Sequence, residues 1–163
     1  MILGGIGSVQ PPEGEVVMQW VTRARPKTDR IACPWLIRRF IDQSAEIVYV
    51  PRELVLDHAR DHGARSFDAP GAEFTHRDGK CTFEVLIEEF ELTADPALAL
   101  LARIVHGADI DGELDTTPQS AGLLAIAEGF TDVEPDDQRL LAAESPVYDA
   151  LYAWCLRQVG PAE

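Results

Sequence analysis

Four times in this chain a proline directly follows a residue placed to cap a helix: Cys33-Pro34, Asp95-Pro96, Thr117-Pro118 and Ser145-Pro146. Proline costs nothing at the first helical position, where its missing N–H would have no partner anyway. Each pair therefore predicts a helix start, and Val50-Pro51 and Glu134-Pro135 are weaker versions. Glycines close the same segments: Gly63 after "RELVLDHARDH", Gly107 after "ALALLARIVH", Gly129 after "SAGLLAIAE" and Gly160 near the end.

Apolar spacing supports these helices. After Pro34, the residues Leu36, Ile37, Phe40 and Ile41 form one stripe and leave Arg38 and Arg39 on another side. Val147, Leu151, Trp154 and Leu156 do the same in the last helix, and Phe83, Leu86, Ile87 and Phe90 predict a further one from about Thr82 to Phe90. "WVTRAR" from Trp20 and "EIVYV" from Glu46 to Val50 read as short strands. Residues 1–17, rich in Gly and Pro without a periodic face, read as a flexible leader, and 18–160 as the domain. The expected fold is α+β, a mostly helical single domain with a few short strands. Its apolar fraction of 46% is enough for a core.

A net charge of −14 argues against nucleic acid as a partner. The charge is uneven: Arg23 to Arg39 carries six bases and one acid, Asp29, whereas Cys81 to Asp149 carries sixteen acids and two bases. That asymmetry points either to a local anion site or to pairing of the two segments across the fold. Three widely spaced cysteines without a C-x-x-C pair do not form a disulfide framework. No apolar run reaches the length of about 18 residues that marks a membrane span, and the expected location is the cytoplasm. Phosphate-loop, dinucleotide and serine-hydrolase motifs are missing from the sequence, so no nucleotide cofactor is expected.

Three segments carry candidate chemistry. In "DRIACPWLIRRF", Cys33 at a helix start among cations is expected to have a lowered pKa and redox character, or else to be a small buried hydrophobe. Arg30 and the cations of "TRARPK", with Arg38 and Arg39 downstream, are candidates to hold a small oxyanion, the alternative being an internal Asp29–Arg30 pair. "FDAPGAEFTHRDGKC" offers Asp68, Glu73 and His76, oxygen donors with one imidazole, a set suited to a divalent ion such as Mn, Fe or Zn. "HGADIDGELD" adds Asp109 and, as a reserve ligand, His106; its register does not fit a calcium loop. His58 and His62, four apart, read as exposed helix residues.

The block "WVTRARPKTDRIACPWLIRRFID", followed by "FDAPGAEFTHRDGKCTFE", "ARIVHGADID", "PQSAGLLAIAEGF" and "VYDALYAWC", resembles the chromate-resistance protein family, specifically its ChrB C-terminal-type domain, over Trp20 to Cys155. The resemblance implies a role in bacterial chromate resistance, in larger members as a cytoplasmic chromate-responsive regulator with an additional N-terminal half. It supplies no catalytic residues. The expectation is a domain that binds a divalent metal, an oxyanion such as chromate, or both. The alternatives are a metal-dependent redox or hydrolytic enzyme and a non-catalytic interaction domain.

Overall fold

The computed structural model describes residues 16–161; residues 1–15 of the expected leader lie outside them. Among the described residues there are three strands and six helices: β1 (Gln19–Arg23), α1 (Asp29–Leu36), β2 (Glu46–Val50), α2 (Val55–His62), β3 (Arg65–Ser66), α3 (Thr82–Glu89), α4 (Pro96–Asp109), α5 (Ser120–Val133) and α6 (Asp137–Val159). The fold is α+β and mostly helical, as expected. The sheet is parallel in the order β2-β1-β3, with Trp20 opposite Ile47 and Arg65. Parallel neighbours need crossovers, which α1 and α2 supply.

β1 is the middle strand, and Trp20, Val21 and Thr22 in it are buried. Trp20 packs with Ile31, Leu36, Phe67, Phe83, Leu86 and Leu101 in the main core. α4 lies against both α5 and α6. Gly107 permits the approach of α5: a Cβ there would stand 2.2 Å from Ser120 Oγ. That glycine is interior to α4, and Gly129 is interior to α5, so neither closes a helix. Gly63 does close α2, at φ 61°, and Gly160 follows α6.

The proline reading succeeds fully once. Asp95 Oδ1 accepts N–H bonds from Ala97 and Leu98 at 2.9 and 3.1 Å, with Pro96 at the first position; such a cap stabilises a helix by about 1 kcal/mol. Thr117 Oγ1 accepts the Ser120 N–H just ahead of α5. Asp136, not Glu134, caps α6. Cys33-Pro34 and Ser145-Pro146 are corrected: both prolines are interior to helices that begin earlier, at Asp29 and Asp137. Pro34 cannot bond the carbonyl four residues back, that of Arg30, and the Tyr49 hydroxyl donates to this oxygen instead at 2.7 Å. A side chain from the neighbouring strand thus satisfies the acceptor that proline leaves without a helical partner. Beyond Leu36 the helix widens into a π turn over Ile37–Ile41.

Candidate metal centre

The N-terminus of α3 is capped from a distance. Asp29, in the first turn of α1, supplies the carboxylate. Its Oδ2 accepts the Thr82 N–H at 2.8 Å and its Oδ1 the Phe83 N–H at 3.3 Å. These are donors with no partner inside α3, and the helix dipole favours a negative charge there. Asp29 is 1% exposed.

Two further acids converge on it. Asp68 follows β3 in a left-handed conformation, φ 49°, and its Oδ1 accepts the Thr82 hydroxyl at 2.8 Å. Asp109 ends α4. His76, on the loop between β3 and α3, places Nε2 at 3.3 Å from Asp29 Oδ2, 3.3 Å from Asp68 Oδ1 and 3.1 Å from Asp109 Oδ2. Three carboxylates therefore surround one imidazole nitrogen.

The electrostatics follow. Hydrogen bonds to Asp109, Asp29 and Asp68 push the His76 pKa up to about 12. Burial, reinforced by the Asp109 charge, pushes the Asp29 carboxyl up to about 7. Burial also acts to raise Asp68, but hydrogen bonds from His76 and Thr82 and the Arg30 charge outweigh it and hold that carboxyl below its ordinary range. The His76 imidazolium offsets one of the three carboxylate charges, and Arg23 and Arg30 stand against a second, that of Asp68.

A pocket of about 270 Å³ opens beside these acids, lined also by Arg23, Lys27, Thr28 and Arg30. Arg23 donates from Nε to the Asp68 carbonyl at 2.9 Å, and Arg30 Nη1 stands 3.5 Å from Asp68 Oδ2. Thr28 Oγ1 and Arg30 Nε are buried with no hydrogen-bond partner among the described residues. Arg25 is directed elsewhere, to Asp137 and the carbonyls of Thr131 and Pro135.

Of the residues proposed from sequence, the fold brings together Asp68, His76, Asp109 and Arg30. Glu73 does not join them; Arg65 holds its carboxylate at 2.7 Å while lying over Trp20, Phe74 and Phe90. His106 bonds Glu84, which also accepts the Cys81 N–H in the capping box of α3. Arg38 donates to the Ala45 carbonyl, and Arg39 pairs with Asp149 on a different face. The lowered pKa expected for Cys33 is overturned: the thiol is in mid-helix, fully buried, and burial with the Asp29 charge pushes it well up. Its Sγ lies 3.7 Å from Asp29 Oδ1, behind the site. His58 and His62 stack on each other away from the acids.

The sequence offers Asp29 only as an ion-pair partner for Arg30, which stands against Asp68 instead, and it does not point to Thr28. Asp29 had a visible signal, being the one acid in a run of six bases. Thr28 had none.

Fold and site together define a small α+β domain with a carboxylate–imidazole centre under a cationic rim. The chain belongs to the ChrB C-terminal domain family, whose model matches residues 20–155. Over 136 residues it is 40% identical to Protein ChrB of Cupriavidus metallidurans (strain CH34), an alignment covering 82% of this chain and 40% of that protein. The chain thus spans less than half of that relative's length. No solved structure matches it. Among the described residues no helix is long and apolar enough to cross a membrane.

Proposed function

We propose that the chain is a cytoplasmic domain of chromate or metal-stress resistance that holds one divalent metal ion between His76 Nε2 and the carboxylates of Asp29, Asp68 and Asp109. One observation carries this reading: three acids from three separate elements all approach the same nitrogen at 3.1–3.3 Å. Ligands about 2.1 Å from a common ion are themselves separated by about 3.0 Å (octahedral) to 3.4 Å (tetrahedral); one ligand atom each of Asp29, His76 and Asp109 lies within 4.8 Å of the other two, a set that Asp68 adjoins through His76. Three oxygen donors with one imidazole suit manganese, iron or zinc. Metal analysis of protein purified without chelator tests it: about one equivalent per chain is expected, lost in His76→Ala. No metal after permissive loading overturns it.

A second reading has one observation in its favour. Thr28 Oγ1 and Arg30 Nε are buried donors without partners, and both residues line the pocket with Arg23 and Lys27. An oxyanion such as chromate, held by these groups without any metal, would satisfy them. Sulfate or chromate titration into chelator-treated protein distinguishes the two, since only the second reading expects tight binding there.

A further inference from the structure

We infer that the pocket takes a small tetrahedral dianion as a second ligand, and that the bound metal ion is what makes it bind tightly; this rests on the metal reading above. The rim cations Arg23, Lys27 and Arg30 match the carboxylates Asp29, Asp68 and Asp109 one for one. A divalent ion held by neutral His76 leaves two positive charges in excess, which one dianion neutralises. Without the ion, Arg23 and Arg30 are held toward Asp68, each 3.5 Å from its Oδ2, and the His76 imidazolium with the three rim cations leaves the site one positive charge in excess rather than two. The metal takes up the carboxylate charge and releases the cations for the anion.

Donor chemistry points the same way. Thr28 is 1% exposed, and its hydroxyl has no partner among the described residues; the same is true of Arg30 Nε. Leaving a buried donor unbonded is costly, so both gain from an acceptor in the pocket they line. A four-oxygen anion can accept from Thr28 and Arg30 together while another oxygen meets the ion. Manganese bound by four protein groups retains about two coordination positions of an octahedron for such an oxygen. Sulfate has the required shape and charge, and chromate shares both.

The test is calorimetric titration of sulfate into chelator-treated and manganese-loaded protein, in wild type and in Thr28→Val. That variant conserves volume and removes a hydroxyl that no other group uses. Sulfate is expected to bind the loaded protein about tenfold or more tightly than the metal-free one. Reciprocally, saturating sulfate should tighten manganese by the same factor. Thr28→Val should weaken sulfate several-fold in the loaded protein and leave manganese affinity in sulfate-free buffer unchanged. Lys27→Met, at an exposed position, is a second probe that should weaken sulfate alone. Manganese binding without sulfate binding, or equal sulfate affinity with and without manganese, overturns the inference and leaves the metal reading standing. Failure of manganese to bind overturns both.

Discussion

Two imidazole–carboxylate clusters flank the start of α3, and they differ in balance rather than in composition. On one side His106 meets Glu84, one ring to one acid, and the same carboxylate caps the Cys81 N–H. On the other, His76 faces Asp29, Asp68 and Asp109 at the mouth of a pocket. The first pair satisfies itself and fastens α3 to α4. The second gathers acids from three separate elements around one imidazole, beside an open pocket with three cations on its rim. Residue type alone does not distinguish the two; the convergence of separate elements on an open pocket does.

The largest expected effect separates the clusters. Asp109→Ala should weaken metal binding by more than the ~10–100-fold typical of outer-shell changes, whereas His106→Ala should retain it, as read by metal titration of both proteins. If His106→Ala loses the metal and Asp109→Ala retains it, the assignment of the clusters is reversed. Next is pH. Asp29, raised to about 7, must give up its proton to a metal, as must His76. Metal affinity should therefore rise by at least about tenfold between pH 6 and 8, with proton release measurable by calorimetry in buffers of different ionisation enthalpy.

The balanced cluster should show itself in stability instead. Glu84→Ala is expected to lower the unfolding free energy by about 1–2 kcal/mol through loss of the capping box, with metal stoichiometry unchanged. Glu144 gives a third contrast, an acid with no partner at all. It is fully buried in α6, neither oxygen is bonded among the described residues, and burial pushes it from 4.5 up to about 7. The folded chain binds this proton more tightly than the unfolded one. The stabilisation is complete below about pH 4.5 and lost as pH rises through about 7. Glu144→Gln should remove that slope, a difference of about 2–3 kcal/mol between pH 5 and 8 in urea unfolding. Smallest is Glu73→Ala, which breaks a partly exposed pair with Arg65 and should cost about 0.5 kcal/mol without affecting metal.

Local rules carried the helix content, the strand from Glu46 to Val50 and the Asp95 cap, because each depends on residues within a few positions. The rules failed where a distant group intervened. Pro34 reads as a helix start until Tyr49 supplies the bond that Arg30's carbonyl would otherwise lack. Asp68, His76 and Asp109 could be named from their donor atoms, since carboxylates and imidazoles cluster in those two segments. Their convergence on Asp29 could not, because it depends on how α1, the loop before α3 and the end of α4 meet. Glu73 fits by spacing, but its carboxylate is paired with Arg65, which lies over the aromatic rings, and not with the other acids.

Anomalous diffraction from crystals of manganese-loaded protein tests the central claim most directly. The expected result is one strong peak bounded by His76 Nε2 and the carboxylates of Asp29, Asp68 and Asp109, with metal–ligand distances of about 2.0–2.2 Å. A peak beside Cys81, Glu84 and His106, or no peak at all in loaded crystals, would contradict it.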